Sequence, residues 1–98
     1  ATAYDGLKDF EKAAADLSAL VERYPDDADF YEYRGKSYLG GGKFDNAIAD
    51  YSKVVELSPA YAGGYVGRAK AYEKLEGKGS KKAKEDFSTA AKFGYSPR

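Results

Sequence analysis

The sequence has no cysteine, histidine, methionine or tryptophan, and only three prolines. Without cysteine there is no disulfide, no thiolate metal site and no thiol nucleophile, although an absence in 98 residues does not separate one redox compartment from another. Without histidine the usual general base near neutrality is missing. No serine has an evident base beside it, and the carboxylates are spread along helix faces rather than converging, so an enzyme is not expected. No spacing of carboxylates resembles a calcium loop, and neither metal nor cofactor is expected. No segment approaches the roughly 20 consecutive apolar residues of a bilayer-crossing helix. There is no initiator methionine and no charged stretch followed by an apolar run at the start. A targeting peptide is therefore either already removed or no part of this sequence, and localisation stays unassigned.

What is present describes a folded domain with a thin core. At 98 residues the chain is one domain long, and its 43% apolar and 33% charged residues suit a globular protein better than a disordered one. Formal charge is zero, but it is unevenly placed. Residues 1–27 carry three basic and seven acidic groups, and residues 62–98 carry nine and four. Such end-to-end polarity fits head-to-tail contact and argues against a nucleic-acid binder with one basic face.

The chain repeats itself. Tyr31, Arg34, Gly35 and Tyr38 recur 34 residues later as Tyr65, Arg68, Ala69 and Tyr72, and the same offset carries Phe10 to Phe44, Ala13 to Ala47, Asp16 to Asp50, Leu17 to Tyr51, Leu20 to Val54 and Pro25 to Pro59. Beyond Tyr72 the offset is 36, taking Ala47 to Ala83, Asp50 to Asp86 and Tyr51 to Phe87. The two extra residues fall within 76–82, where they are expected to lengthen a loop. Tyr31, Arg34, Gly35 and Tyr38 stand at i, i+3, i+4 and i+7 on one helix face. Gly40–Gly41–Gly42 ends that helix, Asp45 opens the next, and Pro59 closes it. The unit is a helix hairpin, with Gly35, Ala47, Ala69 and Ala83 supplying clearance where helices cross. Helices are expected near 8–23, 29–40, 45–57, 62–75 and 81–93, with residues 1–5 a remnant or fraying turn.

Tyr31-x2-Arg34-Gly35-x2-Tyr38, Ala47-x3-Tyr51 and Pro59 resemble the tetratricopeptide repeat. The resemblance covers nearly the whole chain: a full copy at 28–61, a second at 62–97 with its loop stretched and its proline displaced to Pro97, and a headless copy at 1–27. It implies an all-α solenoid of antiparallel helix hairpins coiled into a right-handed superhelix. Tyr31 and Tyr65 stand where the family often has tryptophan, and Arg34 and Arg68 where it often has leucine. In each copy an aspartate precedes the aromatic of the second helix, so Arg34–Asp50 and Arg68–Asp86 are read as ion pairs. If the space around the pair is apolar, Arg34→Leu is expected to cost less than Asp50→Ala, which strands a guanidinium.

The family generally presents the first helices of its hairpins along a concave groove that receives a peptide or a partner helix. The resemblance puts Asp29, Glu32, Tyr33 and Lys36 on the groove side of one copy and Gly63, Val66, Gly67 and Lys70 on that of the next. Gly63 and Gly67 would let a ligand backbone approach, Tyr33 and Val66 would offer apolar contact, and Lys36 and Lys70 would hold carboxylates or carbonyls. Plain solvated surface is the alternative for each. Capture of a chaperone's C-terminal carboxylate by lysines and asparagines is not supported, because Asn46 is the only asparagine and lies on a second helix.

Other motifs carry less. The Gly35–Lys36–Ser37 of a phosphate loop lacks the upstream glycine, since Phe30 stands there. Lys78, Lys81, Lys82 and Lys84 read as a solvated loop and helix start. The arginine partner of Asp16 would fall one residue before Ala1, and the chain ends at Arg98. A fragment cut after arginine, an ordinary boundary and a processed end all fit. In each case Ala13, Leu17 and Leu20 lack the helix that should cover them. Self-association through that face, in a homodimer, is the alternative role.

Overall fold

A computed structural model describes residues 3–95, with side chains from Asp9 onward. Five helices follow in order: α1 (Ala3–Arg23), α2 (Ala28–Gly40), α3 (Phe44–Leu57), α4 (Ala62–Glu76) and α5 (Lys81–Lys92), with no strand among the described residues. Each helix packs on the next, and α2 also touches α4, so the first helices of successive hairpins are neighbours. The pattern of neighbours explains the patterning of the sequence. α1 and α5 each lean on one helix and carry one apolar stripe. α2 and α4 have three neighbours each, so small and apolar residues are distributed around more of their circumference.

Local chemistry sets most of the boundaries. The Asp27 carboxylate accepts the Asp29 N–H at 3.0 Å and caps α2. Ser80 caps α5 by accepting from the Ala83 N–H at 3.2 Å, and its hydroxyl donates to Glu76 at 2.7 Å. Gly42 and Gly77 leave their helices at φ of 82° and 90°, where a side chain would be strained.

Two expectations are corrected. α1 begins at Ala3, not near residue 8, so residues 3–5, expected as a remnant or fraying turn, are helical; residues 1–2 and Pro97 lie outside the described residues. A glycine such as Gly6 costs a helix only about 1 kcal/mol relative to alanine, and no proline precedes Pro25 to stop it. The two-residue insertion also lengthens a helix more than a loop: α2 has 13 residues and α4 has 15. Leu75 and Glu76, good helix formers, occupy the positions of Gly41 and Gly42 in the preceding copy, and α4 runs on through them.

The core joins Val21, Tyr31, Ala47, Tyr51, Val54 and Ala71, with Phe30, Tyr38, Leu39, Ile48 and Leu57 packed around them. Tyr51 and Val54 are its largest fully buried side chains. Tyr51 is held edge to edge between two glycines. A Cβ on Gly35 would stand 3.0 Å from its Cε2, and a Cβ on Gly67 would stand 2.1 Å from its Cε1.

The arginines tie neighbouring hairpins together. Arg34 donates from Nε and Nη2 to Asp50 at 2.8 and 2.6 Å, while its Nη1 donates to the Ser18 hydroxyl at 3.1 Å. One period later Arg68 donates to Asp86 at 2.9 Å from both nitrogens and to Ser52 at 3.2 Å. The inferred pairs are therefore present, and each arginine also reaches back to the second helix of the preceding hairpin. The hydrogen bond to the aspartate is the main reason both guanidinium groups are held above their ordinary pKa. Tyr31 and Tyr38 flank Arg34, with ring centres 5.9 and 5.7 Å from the guanidinium carbon. The tyrosines repeat as well: Tyr31 donates to the Pro25 carbonyl at 2.9 Å and Tyr65 to the Pro59 carbonyl at 2.7 Å.

Candidate peptide-binding groove

Between the exposed sides of α2 and α4 lies a cavity of about 580 Å³. Six of the eight residues that the resemblance assigned to a groove line it: Glu32 and Lys36 from α2, and Gly63, Val66, Gly67 and Lys70 from α4. Asp29 and Tyr33 are not part of the lining; both are exposed, and Tyr33 keeps 51% of its surface in solvent. Lys36 and Lys70, one period apart, are exposed at the edge.

The two glycines have a different purpose from the one expected of them. The room over Gly67 is filled by the Tyr51 ring, and a Cβ on Gly63 would meet the Tyr61 ring at 2.5 Å. The clearance over these two glycines is taken up by the protein's own Tyr51 and Tyr61 rings, both of which line the cavity.

Tyr61, Leu39, Phe93 and Tyr95 complete the lining and were not anticipated. Tyr61 occupies the position at which Asp27 caps the preceding first helix, and it makes no side-chain cap bond. Its ring instead lies over Gly63, and its hydroxyl donates to both Glu32 carboxylate oxygens, at 3.1 and 2.9 Å. This departure from the repeat was a signal available in the sequence. Phe93 stacks on Tyr65 at 5.8 Å and Tyr95 on Phe87 at 5.9 Å. Gly94, at φ 102°, turns the chain between them.

Both floor tyrosines hold their protons tightly. The hydrogen bond to Glu32 is the main cause of the raised pKa of Tyr61; burial is the main cause for Tyr51, followed by the nearby Glu32 charge. An unfolded tyrosine ionises near 10.0, so the stability contributed by neutral, buried Tyr51 is complete below that pH and is lost as pH rises above it. One such group adds a slope of about 1.4 kcal/mol per pH unit. The urea midpoint should therefore fall more steeply above pH 10 in the wild type than in Tyr51→Phe.

The face assigned to self-association is partly covered. Ala13, Leu17 and Leu20 are half-buried, while their neighbours Ala14 and Val21 are buried and Ser18 is bonded to Arg34. Tyr51, the counterpart of Leu17, is 2% exposed because α3 has helices on two sides, whereas among the described residues α1 packs against α2 alone.

No curated protein matches the chain. A family model for the tetratricopeptide repeat matches residues 1–62, which is more than half of it. Repeats of this kind are in general protein–protein interaction modules. With five helices in sequence, hairpins in a 34-residue register and that match, the chain belongs to the tetratricopeptide-repeat family.

Proposed function

We propose that this protein is an interaction module that receives a peptide or partner helix in the groove between α2 and α4. The observation that carries this reading is the convergence of Glu32, Lys36, Val66 and Lys70 from two hairpins on one open cavity floored by tyrosines. Apolar surface supplies contact area, and charged side chains at the edge fix register. The test is selection of ten-residue peptides from a randomised display library on the full chain, followed by Val66→Glu. Val66 is half-buried on the groove side, so the substitution should abolish capture while leaving the helical circular dichroism unchanged. Peptides that bind Val66→Glu as well as the wild type would remove the groove from consideration.

A second reading, self-association through α1, is favoured by half-covered Ala13, Leu17 and Leu20 on a helix that, among the described residues, packs on α2 alone. A symmetric dimer would hide both copies of this face at once. If this reading holds, the wild type sediments as a dimer and Leu17→Glu as a folded monomer. A dilute-solution monomer whose stability Leu17→Glu leaves unchanged would reject it. Association that weakens with salt would instead point to the acidic and basic ends of the chain.

A further inference from the structure

We propose that Glu32 is the specificity anchor of the groove, and that it takes a single lysine or arginine side chain of the bound segment; this rests on the groove reading above. The argument begins from a comparison within the molecule. Asp50 and Asp86 are buried carboxylates, and each is met by two hydrogen bonds from an arginine. Glu32 is buried to a similar degree, 9% exposed, yet among the described residues its carboxylate meets no cation. Its one donor among the described residues is the Tyr61 hydroxyl, shared between both oxygens.

A carboxylate has about four acceptor sites, and a buried one is ordinarily paired with a positive group. Lys36, one turn further along the helix and well placed by sequence for an i, i+4 pair, does not provide it. Its side chain goes to solvent, and no Glu32–Lys36 contact lies within ion-pair distance. Glu32 lines the cavity, and a cation seated there would be the missing partner.

The surroundings narrow the partner further. Tyr61, Phe93 and Tyr95 line the same cavity, so the stem of a long cationic side chain would meet aromatic surface on its way to Glu32. Lys36 and Lys70 at the edge repel a run of positive charge and attract carboxylates. The occupant is therefore a protein segment with one cation among apolar residues and an acidic neighbour, not a polybasic tail. In the free protein the Tyr61 hydroxyl holds the place that the cation shares or takes.

The same display library, presented as acetylated and amidated peptides to exclude terminal charges, tests this. Wild type should enrich a single lysine or arginine position. Glu32→Gln should weaken the enriched peptide about 10- to 100-fold. Replacing that cation by norleucine should cost the wild type as much and Glu32→Gln almost nothing. Tyr61→Phe, which strips Glu32 of its donor, should bind the cationic peptide about 2- to 10-fold more tightly. A purely structural Glu32–Tyr61 contact would give the opposite, with Tyr61→Phe weakening binding of every peptide alike. Peptides without a cation that are lost on Val66→Glu but indifferent to Glu32→Gln would overturn the anchor and leave the groove standing. Peptides indifferent to both would overturn the groove as well.

Discussion

Arg34→Leu should destabilise the fold by about 3–5 kcal/mol, the loss typical of a buried ion pair stripped of one partner. Asp50→Ala should cost less, which reverses the order expected from the sequence. The reason is where each partner sits: the Asp50 side chain is 5% exposed and that of Arg34 20%. Removing the arginine leaves a carboxylate sealed in the core. Removing the aspartate leaves a guanidinium that still reaches Ser18, still lies between Tyr31 and Tyr38, and can turn its free face to water. Equilibrium urea unfolding of the two single variants and of Arg34→Leu/Asp50→Leu checks this. The double variant should recover much of the loss, because a packed apolar pair needs no compensating charge. Small and equal losses in both single variants would mean that the pair is spread over solvent.

Gly67→Ala is the second large effect, at about 3 kcal/mol or more, because overpacking a filled core ordinarily costs about 1–3 kcal/mol and here the obstructed group cannot yield. The new methyl would stand 2.1, 2.4 and 2.5 Å from three atoms of the Tyr51 ring. Moving that ring away from α4 drives it into α2, where its opposite edge already lies 3.0 Å from the Cβ position of Gly35. Tyr51→Leu should therefore rescue Gly67→Ala in part, measured by thermal unfolding, whereas Gly63→Ala should be milder. The Tyr61 ring that a Gly63 side chain would meet is 46% exposed and can swing outward at the cost of its hydrogen bond to Glu32.

These two sites also mark what could be read from the sequence. The 34-residue register, stretched to 36 beyond Tyr72, located the five helices apart from the start of α1, and the joint appearance of arginine and aspartate in successive copies located the ion pairs. Ser18, Ser52 and Ser88 keep the same register as the aspartates, so the third member of each network was legible too, but its role depends on contact across hairpins that a periodic pattern does not display. The groove was harder. Its helix faces followed from the family pattern, yet its floor depends on where two tyrosine rings lie, and a glycine that admits a ligand looks the same in sequence as one that admits a neighbour's side chain. Tyr61, Phe93 and Tyr95 lie outside the repeated positions, so the periodicity passed over them.

The bridging arginines give the array a direction. α5 is held to its hairpin by an ionic fork of two bonds, whereas α1 is attached through the same kind of network by one bond to a serine hydroxyl. The ends of the chain therefore differ in how readily they detach under thermal fluctuation. Opening events that spare the rest of the molecule should then start at α1, and hydrogen exchange should find its amide protons replaced before those of α3 and α4. A ligand seated between α2 and α4 lies away from that loosening end and leaves its exchange nearly unchanged, so a partner that slowed exchange in α1 would have to touch α1 itself.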